Sequence, residues 1–188
     1  DAVFRTAPHI VELELTCGRH SGVPLETRGA IGRYDASRDM LELHGAAKVP
    51  FANRRFLAKM LDRSVESIGM VENDVGGGFG LRGEFYPEDF LIPFAARHVN
   101  RPVKWIEDRR EHFMASIQER DQYWDVEVGF DDDGRLLGAR GTMISDAGAY
   151  TYQGINLHYN ASTNFPGPYV LPHYKLNVSV VETNKTPT

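Results

Sequence analysis

From position 75 the chain reads Val-Gly-Gly-Gly-Phe-Gly-Leu-Arg-Gly, placing five glycines in eight positions around a lone Phe79. Glycine lets backbone amides approach a ligand without interference from a Cβ atom. Successive N–H groups in such a loop form a concave donor array suited to an oxyanion, whether a phosphate or an oxygen bound to a metal. Pro87 followed by Glu88 and Asp89 reads as the first turn of a helix, so the expected order is glycine loop, then helix.

The segment Gly78-Phe-Gly80-Leu-Arg-Gly83 also satisfies the spacing of a dinucleotide fingerprint, and Glu107 and Asp108 follow at about the distance of a ribose-binding acid. Two features count against that reading. In a dinucleotide fold the helix opens within the glycines, and a helix begun at Gly80 would enclose Pro87 at a cost of about 3 kcal/mol. The preceding Met70-Val-Glu-Asn-Asp74 is also too polar for a buried central parallel strand. A purely structural glycine turn is the plainer alternative.

With 188 residues, 41% hydrophobic and 25% charged, the chain can bury a core, most simply in one domain and conceivably in two. A net charge of −5 argues against nucleic acid or an anionic membrane as principal partner. The paired arginines at 54–55 and 109–110 read as solvated or ion-paired. A single cysteine, Cys17, excludes an internal disulfide, and no apolar run approaches the length of a membrane span. A reducing cytoplasm fits, and Cys17 reads as a plain thiol. The sequence opens at Asp1 without methionine or signal-peptide pattern and stops just after a strand pattern. The expectation is a piece of a larger polypeptide, with a processed terminus or a short natural protein as alternatives.

Two hairpins are expected. One sets Trp124-Asp-Val-Glu-Val-Gly-Phe130 against residues 135–144 across a turn ending Asp133-Gly134. The other sets 28–34 against 40–44. Helical spacing appears at Phe51, Phe56, Leu57, Met60 and Leu61, and again at Phe90, Leu91, Phe94, Ala95 and His98, with Pro93 kinking the second helix. Residues 65–71 and 101–106 read as short strands, the latter opened by Pro102. Leu176, Val178 and Val180 alternate in a last strand. Hairpins mixed with strand–helix–strand units indicate an α+β fold, with mixed and antiparallel sheet layers packed with helices. The stretch 145–171, rich in Gly, Asn, Tyr and Pro, is long for a connector, so it packs under another segment or shapes a pocket.

Seven histidines, at 9, 20, 44, 98, 112, 158 and 173, lack any spacing that would converge on a metal. Glu111-His112 invites an acid–base role, but its charged surroundings favour a solvated pair. Glu84, Glu88 and Asp89 read as favouring the positive end of the following helix rather than acting on a substrate. No nucleophile elbow or Walker lysine is present. The residues therefore offer a ligand loop without a catalytic set.

Five ordered segments together resemble the molybdenum-binding large subunit of the xanthine oxidase, aldehyde oxidase and aerobic carbon monoxide dehydrogenase family. Pro24-Leu-Glu-Thr-Arg-Gly29 is similar to the family's P-M-E-P-R-G, and the run from Val75 to its V-G-G-G-F-G-x-K loop. Arg101-Pro-Val-Lys-Trp105 with Asp108, Arg109 and Glu111 resembles its R-P-V-K-W…D-R-x-E stretch. Asp146-Ala-Gly-Ala-Tyr150 and Thr183-Asn184 resemble its N-x-G-A-Y and T-N segments.

The resemblance implies the fold of the family's molybdopterin-binding domain, with residues 1–188 as its early portion. It implies a molybdenum–pterin cofactor, usually carrying cytosine in bacterial members, that inserts a water-derived oxygen into a C–H bond or oxidises carbon monoxide. Electrons would leave through an iron–sulfur small subunit to FAD on a middle subunit. Gly77, Gly78, Phe79 and Gly80 are the implied cofactor contacts, with the Phe79 ring flanking the substrate channel. Arg82 stands where the family usually has Lys, and Lys48 where it commonly has a glutamine facing the molybdenum. The later pterin-binding motifs and the glutamate base are absent, so no residue of the chain is assigned a catalytic role and the piece alone is expected to be inactive. The rivals are a stand-alone anion- or nucleotide-binding module using the loop from Gly76 to Gly83, and a scaffold whose glycines permit a tight crossing.

Overall fold

Both expected hairpins form, and they lie in different sheets. The computed structural model describes residues 1–45, 49–150 and 156–188. In chain order the described elements are α1 (Ala2–Thr6), β1 (His9–Cys17), β2 (Gly29–Asp35), β3 (Met40–Gly45), α2 (Pro50–Met60), β4 (Ile68–Val71), α3 (Pro87–Val99), β5 (Val103–Ile106), α4 (Arg109–Ala115), β6 (Gln122–Phe130), β7 (Leu136–Gly148), α5 (Asn156–Thr163) and β8 (Tyr174–Glu182). Short 3-10 turns stand at Val65–Ser67 and Leu81–Gly83. The architecture is the α+β class expected. It divides into two units, Asp1–Ser21 with Ile117–Thr188, and Gly22–Ser116.

The first unit carries a four-stranded sheet in the order β1-β6-β7-β8, antiparallel except for the β7–β8 pair. Alternation turns Val126, Ala139, Met143 and Ala147 inward. The β6–β7 turn is set by Asp131, whose Oδ1 accepts from the amides of Asp133 and Arg135 at 3.0 and 2.8 Å, while Gly134 takes φ 78°. The two family-like segments near positions 146 and 183 meet here. Asp146 Oδ1 accepts from Thr183 Oγ1 and from the Gly148 amide, both at 2.8 Å. Arg19 and Lys185 each bridge Asp121 and Asp146. Burial alone would raise the Asp146 pKa, but Thr183, Lys185, the Gly148 amide and Arg19 outweigh it and hold the carboxyl down at about 2.

The second unit carries a sheet in the order β4-β3-β2-β5, with β4 parallel to β3 at one edge and the other pairs antiparallel. Leu41, Leu57, Ala58 and Ile68 form its core, flanked by Tyr34, Leu61, Val65, Phe85 and Phe90. Each fully buried Leu or Ile contributes about 1.5–3 kcal/mol. The helix α3 opens at Pro87 as the sequence indicated, runs through Pro93, and ends at Asn100 in the left-handed region. The glycines do not open an α-helix, and the strand before them is a sheet edge, which removes the dinucleotide-fold reading. The segment 65–71, expected wholly extended, divides into a 3-10 turn and the four-residue β4.

Helical spacing placed both helices, and Leu57, Leu61 and Phe90 of the two stripes reach the core, but much of each stripe is exposed. In α2 the buried residues are Asn53, Leu57 and Ala58, while Phe51, Phe56 and Met60 are exposed. In α3, Pro93 and Ala96 face inward and Leu91 and Phe94 outward. For α3 the reason is close approach: it crosses β2 at Gly32, where a Cβ would stand 2.6 Å from Ile92 O and 2.7 Å from Pro93 Cα. Small residues and the proline ring fit that crossing, and large aromatic side chains do not.

Gly32→Ala should therefore destabilise the chain by about 1–3 kcal/mol, read as a lower urea midpoint with an unchanged slope. An unaltered midpoint would show that α3 is not held against β2 at this point.

Candidate functional site

Three of the five family-like segments converge within the second unit, around a buried ion pair. The Arg28 guanidinium bonds Glu107 through Nε at 2.9 Å and Nη2 at 2.6 Å, and its own amide donates to the other carboxylate oxygen at 3.0 Å. Glu107 is 1% exposed and Arg28 7%. Glu88 approaches Arg28 Nη1 at 3.2 Å, and the guanidinium lies 3.8 Å above the Tyr86 ring. Burial would raise the Glu107 pKa, but the Arg28 hydrogen bonds, with His112, hold it below the usual carboxylate range. Burial would likewise lower the Arg28 pKa, and Glu107 with Glu88 raises it instead. Both groups are charged at neutral pH.

The pairing Glu111-His112, read as solvated, is corrected here: His112 is completely buried. Its Nδ1 lies 2.9 Å from Glu107 Oε2. A carboxylate kept ionised by Arg28 can only accept, so Nδ1 carries the hydrogen and donates. The helix α4 turns His112 inward because Asp108 and Glu111 form a capping box, with Glu111 N donating to Asp108 at 2.7 Å and Asp108 N to Glu111 at 2.8 Å. That Asp-x-x-Glu signature was visible in the sequence. Arg109, expected solvated or ion-paired, instead donates to the carbonyls of Pro24 and Leu25 at 2.6 and 3.0 Å.

Residues 24–29 thus form a strap fastened from below, and the glycine loop rests on it. Gly76 N donates to Glu26 Oε2 at 2.7 Å, and a Cβ on Gly76 would stand 2.5 Å from Glu26 Cβ. Gly77 and Gly80 take φ 97° and 93°, and between them Phe79 takes φ 50°, a left-handed position that costs a side-chain-bearing residue about 1–2 kcal/mol. Leu81 N and Gly83 N close onto the carbonyls of Gly78 and Gly80 at 3.0 Å. Among the described residues, no acceptor takes the amides of Gly77, Gly78, Phe79 or Gly80. The Phe79 side chain is 74% exposed. Beside the strap lies a pocket of about 310 Å³ whose wall includes Ile31, His44, Val75, Arg82 and Lys104.

Of the residues singled out from sequence, Gly77, Gly78, Phe79 and Gly80 form one strained turn with unused donors, half-buried at Gly77 and Gly78 and exposed at Phe79 and Gly80. Arg82 lies beneath it, 4% exposed. Lys48 lies outside the described residues. Glu84 is buried, Glu88 joins the Arg28 cluster, and Asp89 accepts from the Tyr86 amide at 2.9 Å as part of the α3 cap. The described residues contain no group of His, Cys, Asp and Glu that could hold a metal, and none of their helices is long and apolar enough to cross a membrane.

A family model described as the molybdopterin cofactor-binding domain matches residues 1–188. The chain is 36% identical over its whole length to the 6-hydroxypseudooxynicotine dehydrogenase complex subunit gamma of Paenarthrobacter nicotinovorans, covering 24% of that protein. It is 31% identical to the carbon monoxide dehydrogenase large chain of Hydrogenophaga pseudoflava, again covering 24%. The solved quinoline 2-oxidoreductase of Pseudomonas putida 86 superposes with a TM-score of 0.91 at 32% identity, over 99% of this chain and 24% of that one. The chain belongs to the molybdopterin cofactor-binding domain family of the molybdenum hydroxylases, and it spans about a quarter of the length of these relatives.

Burial raises the Asp89 pKa to about 6, against the Tyr86 amide bond and the Arg28 charge. The folded state therefore holds this proton more tightly than the unfolded chain, whose Asp titrates near its ordinary 3.8. The contribution is fully present below about pH 4 and is lost as pH rises through 6. Comparing urea midpoints between pH 4 and 7, Asp89→Asn should remove this part of the pH dependence. An identical pH slope in both proteins would contradict the assignment.

Proposed function

We propose that this chain is the part of a molybdenum hydroxylase large subunit that presents the glycine loop to a molybdenum–pterin cofactor. The observation that carries the reading is the turn at 77–80, whose four amides take no partner among the described residues while Arg82 holds the Gly77 carbonyl and the Leu81 and Gly83 amides take those of Gly78 and Gly80. Such an array is a preformed donor set for an electronegative atom, and membership of the cofactor-binding family supplies a group bearing one. The fit is chemical as well as steric: Phe79 and Gly80 bring backbone donors that need no side chain between them and the ligand.

When bound, the cofactor would supply the two-electron oxidation of a substrate C–H bond with oxygen drawn from water. The chain's own part is narrower. Fixed amides at Phe79 and Gly80 would stabilise negative charge on a cofactor oxygen without reorganising, which is worth most where water is excluded. The exposed Phe79 ring would form one wall against the substrate and help exclude that water. The partners would be the remainder of the large subunit, an iron–sulfur small subunit and an FAD-bearing subunit; the names of relatives as a complex subunit and a large chain support assembly of this kind. A cytoplasmic location and a cytosine dinucleotide form of the pterin belong to the same reading.

Two measurements test it. The purified full-length complex should contain molybdenum and pterin and release cytidine monophosphate on acid treatment; an intact, active complex without molybdenum or pterin would refute the assignment. In that complex Phe79→Ala should lower turnover by about a hundredfold while the thermal transition stays in place, since the side chain is exposed. Unchanged kinetics would remove Phe79 from the site.

A further inference from the structure

We infer that Glu26 and Arg82 act as one clamp that sets the conformation of the glycine loop, which makes Arg82 a positioning residue rather than a group that touches the cofactor. The inference rests on the loop reading above and deepens it.

Arg82 Nε donates to Gly77 O at 2.7 Å. Its Nη2 lies 2.7 Å from Glu26 O, 3.0 Å from Glu26 Oε2 and 3.1 Å from Thr27 O. The guanidinium therefore joins the loop to the strap on the carbonyl side of both. Glu26 Oε2 is shared: it receives Arg82 and, at 2.7 Å, the Gly76 amide. One carboxylate oxygen thus fixes the N–H of Gly76 while the arginine it neutralises fixes the C=O of Gly77. Peptide planarity then leaves few ways to place the next residues.

Those residues carry the left-handed conformations of Gly77, Phe79 and Gly80, and a strained turn persists only where its surroundings over-determine it. The exit is held independently. Leu81 is 3% exposed, its carbonyl accepts from Tyr86 Oη at 2.9 Å, and a Cβ on Gly22 would stand 2.7 Å from its Cδ1. With the exit fixed by packing, the entry clamp decides whether the turn keeps the conformation in which the amides at 77–80 have no acceptor among the described residues. The positive charge of Arg82 is taken up by Glu26 and three carbonyls, so the ligand meets backbone dipoles and not a free cation.

The test uses the full-length large subunit in its complex, prepared with cofactor and, separately, from cells unable to make pterin. The variants are Glu26→Ala, Arg82→Met, their combination, and the conservative Arg82→Lys. Glu26 is half-exposed, so its variant isolates the contact even if the buried Arg82→Met fails to fold. In cofactor-free protein, Glu26→Ala should speed hydrogen exchange at Gly76, Leu81 and Gly83 by about tenfold. The double variant should be no worse than either single, because the pair acts as a unit. Arg82→Lys should recover most of the protection by keeping Glu26 against Gly76. In loaded enzyme, Glu26→Ala should lower kcat by about a hundredfold with little change in KM. Unchanged exchange in Glu26→Ala, or single effects that multiply in the double variant, would overturn the clamp. Faster exchange with full kcat would keep the clamp and remove the loop from the proposed function. Lower kcat with unchanged exchange would overturn the clamp and leave that function standing.

Discussion

The buried pair of Arg28 and Glu107 is the interaction on which the candidate site depends. It joins a segment with no regular structure, residues 24–28, to the end of a strand and the start of a helix. Removing either partner would leave a charge in the interior, a change that costs about 3–5 kcal/mol in comparable settings. The pair does more than hold two segments together. Glu107 also orients His112, and Glu88 and Tyr86 close over the guanidinium, so the strap has one position relative to α3 and α4.

From that fixed strap the properties of the glycine loop can be traced in order. Arg109 holds the carbonyls of Pro24 and Leu25, and Glu26 beside them takes the Gly76 amide. The contact is too close for any side chain at Gly76, and the positive φ at Gly77 and Gly80 excludes one there at low cost. Glycine is required at these three positions for different reasons, and the shared outcome is a run of amides with no acceptor among the described residues. The proposed role rests on backbone rather than on side chains, so it needs no catalytic side-chain set among the described residues. The two motifs of the first unit repeat this logic. Asp146 and Thr183 meet only because β7 and β8 run parallel side by side, and Gly148 is needed where a side chain would overlap the Thr186 carbonyl. In both units the segments that match the family are joints between elements, places where polar groups must be satisfied away from water and where few residue types fit.

Much of this was legible in sequence wherever a signal was local. Asp133-Gly134 and the alternation around Val126 fixed a hairpin, and Pro87-Glu-Asp fixed where α3 starts. The glycine run marked the loop, and the ordered motifs marked the family. Distant pairing was not legible. Nothing near His112 reports that Glu107 will be ionised beside it, because the partner that ionises it stands 79 positions before Glu107. The same holds for Arg82, whose four acceptors on Glu26, Thr27 and Gly77 come into view only in the fold. The exposed Leu91 and Phe94 of α3 misled for a related reason: periodicity reports apolar positions, and a close crossing at Gly32 decides which of them are covered.

The central claim is that backbone N–H groups at 77–80 meet an atom of the cofactor. A crystal structure of the full-length complex, with molybdenum located by anomalous scattering, tests it most directly. The account predicts the Phe79 or Gly80 nitrogen within about 3 Å of a cofactor oxygen and the Phe79 ring facing the substrate path. A cofactor bound elsewhere, with these amides open to solvent or paired to protein carbonyls, would contradict it.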